Sequence, residues 1–168
     1  DHPFPISRFP DSQMLVDSHA HLEMSQFDAD RDAVLARARQ AGVEAILAIG
    51  SGTGPGSLDC AIQIAEQHTW IYATVGIHPH EAKLATDADF AELERLARNP
   101  RVLAWGEIGL DYFYDHSPRD VQRRVFLQQL GMARAAKLPI IIHCRPSNHS
   151  GNAWEETMHL LGEHWAGT

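Results

Sequence analysis

The sequence predicts an α/β fold, an incomplete (β/α)8 TIM barrel made of about the first five βα units, and three observations carry that expectation. Short β-branched or apolar runs alternate with longer amphipathic ones, the pattern of βα units around a parallel sheet. The chain has 168 residues, well short of the ~250 of a complete barrel. The residues best able to hold a metal fall at the far ends of the apolar runs, where barrels build their sites. Residues 14–168 are read as one partial barrel domain. Residues 1–13 carry three prolines and no apolar patterning, and are expected to be a disordered or appended tail ahead of Met14.

The strands are expected at Met14–Ser18, Glu44–Ile49, Ile71–Gly76, Val102–Glu107 and Pro139–Cys144, each bounded by Gly, Pro or polar residues. A helix follows each one, over Asp28–Gln40, Leu58–His68, Asp87–Arg98, Pro118–Lys137 and Ala153–His164, where apolar residues recur at i, i+3 and i+4. Two helix starts carry a capping signal, Thr86 with Asp89 and Ser117 with Asp120. Pro118 is expected in the first turn. The steady rhythm fits an open doubly wound sheet as well as a barrel. The first strand leads into Asp17-Ser-His-Ala-His, however, with neither of the glycine patterns that bind nucleotides. Ser51-Gly-Thr-Gly-Pro-Gly, after the second strand, reads equally as a flexible turn or a phosphate cradle.

Composition narrows the partners. The 14 Lys and Arg against 22 Asp and Glu leave a net charge of -8, so the surface as a whole repels a polyanion. A nuclease of this composition needs a local cationic site, which bound divalent ions supply. Eleven histidines raise the question of metal. Cys60 and Cys144 lie far apart and indicate neither a thiolate zinc site nor a disulfide framework, so a reducing cytoplasm is the expected home. No apolar run approaches the ~20 residues that span a bilayer, and no membrane partner is expected.

Four residues form the chemical constellation. His19 and His21 follow the first strand, Glu107 ends the fourth and His143 lies near the end of the fifth, so one face of a parallel sheet would collect all four. In extended backbone, residues i and i+2 project to one side, so both imidazoles of His19-x-His21 can reach one ion. An isolated H-x-H is often incidental, but its place after an apolar strand favours a ligand pair. Glu107 stands among apolar neighbours and needs either a cation or an arginine partner. His143 after Ile140-Ile-Ile is alone a core histidine, and in company a ligand. Arg145 can offer its planar fork to a phosphate or carboxylate of the substrate, or form an ordinary salt bridge. Asp111-Tyr-Phe-Tyr reads as a loop that either stacks on a base or packs over the barrel mouth.

The segments Met14-Leu-Val-Asp-Ser-His-Ala-His-Leu, Val75-Gly-Ile-His-Pro-His, Gly106-Glu-Ile-Gly-Leu-Asp-Tyr and Ile142-His-Cys-Arg resemble, in order and spacing, the motifs of the TatD family of metal-dependent deoxyribonucleases in the amidohydrolase superfamily. The resemblance implies a distorted TIM barrel with two divalent ions, His19 and His21 binding one, His143 the other, and Glu107 bridging both as the catalytic carboxylate. Mg and Mn are the metals usual for the family, and mixed nitrogen and oxygen donors also suit Zn. The implied reaction is hydrolysis of DNA phosphodiester bonds by a metal-activated water, exonuclease-like. His78 becomes a candidate for substrate or supporting contact, although a turn histidine beside Pro79 is an equal reading. Other superfamily members bridge their metals with a carbamylated lysine. Here the only lysines, Lys83 and Lys137, end no strand.

Two family motifs are not found: a His-Cys-Phe on a sixth strand and a Glu-Thr-Asp on an eighth, each expected to add one metal ligand. The 168-residue chain is therefore expected to be poorly stable and nearly inactive alone, and a monomer when full length. Two alternatives stand beside the deoxyribonuclease: another ester or amide hydrolase of the superfamily, such as an aminoacyl-tRNA deacylase, and an inactive fragment.

Overall fold

The structure, a computed structural model, describes residues 14–51, 55–149 and 151–166. The expected tail at residues 1–13 and the middle of the glycine-rich segment, residues 52–54, lie outside them. Five strands run β1 (Leu15–Ala20), β2 (Val43–Ala48), β3 (Ile71–Val75), β4 (Val102–Asp111) and β5 (Ile140–Arg145), each followed by a helix: α1 (Arg31–Gln40), α2 (Cys60–Gln67), α3 (Asp87–Leu96), α4 (Arg119–Ala136) and α5 (Ala153–His164). All neighbours are parallel, and the order in the sheet is β1-β2-β3-β4-β5. That order decides between the two architectures that the rhythm left open. A doubly wound sheet reverses strand order at a switch point, whereas strands that add always on the same side curl into a barrel. The chain forms the first five βα units of a barrel as an arc.

The core lies between the strands and the helices that cover them. Ile71, Ala73 and Val75 of β3 and Trp105, Ile108 and Leu110 of β4 are buried, as continuous apolar strands between two packed faces should be. Leu93, Phe126, Leu130 and Ala133 close over them from α3 and α4. Two buried glutamines sit two helical turns apart on the inner face of α4. Gln129 accepts from the Ile77 N–H at 2.8 Å and donates to the Ile77 carbonyl at 3.1 Å. Gln122 does the same for Asp111, at 2.8 and 2.9 Å. Each side-chain amide thereby replaces a ladder partner for backbone that leaves the sheet. One helix thus pins the C-terminal ends of β3 and β4.

Thr86 caps α3 as expected, its hydroxyl accepting from the Asp89 N–H while the Asp89 carboxylate accepts from the Thr86 N–H. Ser117 does not cap α4. Its hydroxyl donates to the His80 carbonyl at 2.7 Å and accepts from the Lys83 N–H at 3.0 Å, so a tertiary contact has taken the group that sequence assigned to the helix. Pro118 is consequently the N-cap rather than a first-turn residue. Helix α1 starts three residues later than expected, because Ser25–Phe27 turns as a 3-10 helix and Arg31 closes on the Leu22 carbonyl at 2.7 Å.

The largest departure is β4, which continues past Glu107 to Asp111. Gly109 is what lets the strand go on. A Cβ at Gly109, whose φ is 145°, would lie 1.9 Å from the His143 carbonyl oxygen, so only glycine allows β4 to approach β5 in the register that pairs Gly109 with His143. Gly106 is held the same way against Ile141, with φ 153° and a 2.5 Å conflict.

Candidate metal centre

Strand periodicity aims the side chains. Glu107, Gly109 and Asp111 share one face of β4, and His143 and Arg145 share one face of β5. The β4–β5 register then sets Asp111 opposite Arg145 and places His143 beside Gly109, between the two carboxylates. His19 stands on β1, its N–H donating to Asp17 at 3.0 Å, and His21 follows directly after the strand. These residues converge at the C-terminal ends of the strands, around a cavity of about 370 Å³. A larger cavity of about 690 Å³ lies against Arg134 and Trp165. It offers no carboxylate or imidazole, so the donor set rather than the volume marks the site.

Glu107 joins the two sides of the cluster. Its Oε2 lies 3.6 Å from His19 Nε2 and 3.4 Å from His21 Nε2, and its Oε1 lies 3.0 Å from His143 Nδ1. His19 Nε2 and His21 Nε2 face each other at 3.2 Å, as do His78 Nε2 and His143 Nδ1 at 3.1 Å. Two ring nitrogens pointing at one another share at most one proton; His78, whose Nδ1 accepts from the His80 N–H, is the donor of its pair, which leaves His143 and Glu107 to offer lone pairs to an ion on that side. In each of the trios His19, His21, Glu107 and His78, Glu107, His143, the nearest donor atoms all lie within 4.8 Å of one another. Two imidazoles with a carboxylate are a donor set for a borderline divalent cation. The residues present therefore fit a metal.

The electrostatics agree with that fit. Burial opposes ionisation of Glu107, but hydrogen bonds to His143 and His21 win and hold its carboxyl far below the usual carboxylate range. The Glu107 carboxylate, followed by Glu23 on the Nδ1 side at 3.1 Å, pushes His21 up to about 10. Burial, aided by the charges of His143 and His80, pushes His78 down to about 3. Metal-free, the centre is thus a carboxylate neutralised by protonated imidazole, a charge a cation can replace.

All four residues of the sequence constellation meet here, with His78 among them. Arg145 forms no ion pair among the described residues; its guanidinium lies 4.4 Å from the Phe113 ring centre and 4.6 Å from that of Tyr114, at the cavity wall. Tyr114 also stacks in parallel on His116 at 5.3 Å, so this segment packs over the mouth. Sequence reasoning gave no role in the centre to three polar residues that line the cavity, Glu23, His80 and Asp111, although His80 lay in the Val75-Gly-Ile-His-Pro-His motif and Asp111 in the expected loop beside Glu107. Glu23 continues the alternation of His19 and His21, and Asp111 that of Glu107, so the period of two was the available signal.

Comparison with known proteins follows the same line. The family described as "TatD related DNase" matches residues 16–167. The chain is 39% identical over 153 residues to an uncharacterized metal-dependent hydrolase, YabD, of Bacillus subtilis, covering 91% of this chain and 57% of that protein. It is 38% identical over 134 residues to a protein named 3'-5' ssDNA/RNA exonuclease TatD of Cronobacter turicensis, covering 80% of this chain and 50% of that one. The crystal structure of YJJV, a TatD homolog from Escherichia coli K12, superposes with a TM-score of 0.78 at 30% identity, covering 89% of this chain and 56% of that one. The chain spans about half the length of the curated relatives it matches. With the fold, the ordered motifs and the profile match in agreement, this chain belongs to the TatD-related family of metal-dependent hydrolases.

Proposed function

We propose that the protein hydrolyses phosphodiester bonds at the 3' ends of single-stranded DNA or RNA, with two divalent ions of the Mn, Mg or Zn type. The observation that carries this reading is Glu107, one carboxylate whose two oxygens face separate histidine groups. His19 and His21 would hold one ion, His143 the other, and Glu107 both. Ions held there would supply Lewis acidity toward a phosphoryl oxygen and a water acidic enough to attack at neutral pH.

The protein's own groups do the rest. His78 takes the His80 N–H on Nδ1 at 3.2 Å, so its proton sits on Nε2, directed at the centre, where it can donate to a substrate oxygen. Arg145, held against two aromatic rings, offers a cation to a neighbouring phosphate, with no carboxylate paired to it among the described residues. These groups answer the problem posed by a net charge of -8: attraction for a polyanion is confined to the cavity.

The test is release of mononucleotides from a 3'-labelled single-stranded oligonucleotide by the full chain with added Mn. Release that stops with EDTA and returns with metal is the expected result. Turnover of an aminoacyl ester with no action on the oligonucleotide would replace this reading with the deacylase one.

A further inference from the structure

We infer that Asp111 is a positioning residue that fixes the tautomer of His143 and so decides which ring nitrogen that histidine offers to an ion. The inference rests on the reading of His143 as a metal ligand. His80, Asp111 and His143 also approach one another as a trio, with donor atoms within 4.8 Å, which by proximity alone would suggest a third ion. Donor and acceptor accounting says otherwise. A carboxylate has about four lone-pair sites and no proton to give. Asp111 Oδ1 accepts from the backbone N–H of Phe113 at 3.0 Å and of Tyr114 at 2.8 Å. Its Oδ2 lies 2.8 Å from His80 Nε2 and 3.0 Å from His143 Nε2. Both imidazoles must donate to it, and all four sites are then used on a side chain with no exposure.

The consequence falls on His143. With one proton committed to Nε2 by Asp111, Nδ1 is the nitrogen left to bind an ion; it lies 3.0 Å from the Glu107 carboxylate, where in the metal-free protein a second proton stands in the place an ion would take. A hydrogen-bonded carboxylate behind a histidine orients the ring and raises its basicity as a ligand. Asp111 is itself immobile, because Gln122 holds its N–H and its carbonyl together. The chain of constraint runs from a glutamine on α4, through the end of β4, to a ring nitrogen on β5.

The test combines two readouts on the full chain. In the zinc-loaded protein, long-range proton–nitrogen NMR of the imidazoles is expected to show His143 bound through Nδ1 with a proton on Nε2. Asp111→Asn keeps the oxygen needed by the Phe113 and Tyr114 N–H groups and turns an amide donor toward His143. Zinc affinity by calorimetry should then fall about 10–100-fold, with His143 in the metal-free variant keeping a proton on Nδ1 and losing the one on Nε2. Coordination through Nε2, Asp111 itself bound to zinc, or an affinity within threefold of the parent would each overturn the inference. Should the variant fail to fold, the parent spectrum alone decides. A parent chain that takes up neither zinc nor manganese overturns the metal reading, and this inference with it.

Discussion

Strands β1 and β4 both carry residues of the candidate centre, yet they are built in opposite ways. Strand β4 is paired on both sides, buried along nearly its whole length and braced by Gln122. Strand β1 is paired only with β2 among the described residues, and Met14, Leu15 and Val16 are more than half exposed. The side chains follow their strands: Glu107 is 11% exposed and Asp111 0%, against 41% for His19 and 30% for His21. Half of the centre is preorganised by the fold. The other half borrows its order from Glu107.

Removing Glu107 should therefore damage both halves at once. Glu107→Gln is expected to abolish high-affinity Mn binding in calorimetry, a loss larger than the ~10–100-fold that follows from losing a supporting partner. Binding within tenfold of the parent would show that the two histidine groups act independently of the carboxylate between them. In urea denaturation, Ile108→Ala on β4 should cost about 2–5 kcal/mol, since a fully buried side chain leaves a cavity that the braced strand cannot close. Val16→Ala on β1 should stay within about 0.5 kcal/mol. Equal costs would mean that β1 is buried in solution by something the comparison leaves out.

Away from both strands, Thr86→Ala should cost about 1 kcal/mol through loss of the α3 cap and leave Mn binding unchanged. The narrowest effect, confined to alkaline pH, concerns Cys60 in the first turn of α2. Burial, followed by the Glu23 charge, pushes its thiol up to about 11, against about 8.5 in an unfolded chain. The folded state thus keeps a proton that the unfolded state gives up, and this contribution is present below pH 8.5 and lost as pH rises toward 11. Alkylation of the native thiol should be slow at pH 8.5 and accelerate only above about pH 10; rapid labelling at pH 8.5 would contradict that burial.

The same contrast between strands explains what was legible in the sequence. His19, His21, Glu107 and His143 could be read because each polar side chain stands beside an apolar run, where nothing local accounts for it. Helix α5 was legible to the residue, and the Thr86–Asp89 cap likewise, because a cap is a contact between residues three apart. Asp111 was read as part of a loop because the fourth strand was expected to end at Glu107. Its place in the strand becomes visible only beside β5, where Gly109 meets the His143 backbone 34 residues on. Ser117 was misplaced for a related reason: it had a sound local explanation as a helix cap, which the partner brought by folding displaced.

The unbroken strand order has a consequence for the birth of the molecule. Each strand pairs with the one made just before it, so every βα unit can dock on a finished template as synthesis proceeds, without waiting for distant chain. The β1 histidines emerge first with only local partners, Glu23 among them, and gain the Glu107 carboxylate when β4 has docked. Of the residues gathered here His143 arrives last, and its docking across Gly109 brings the imidazole to the Glu107 carboxylate.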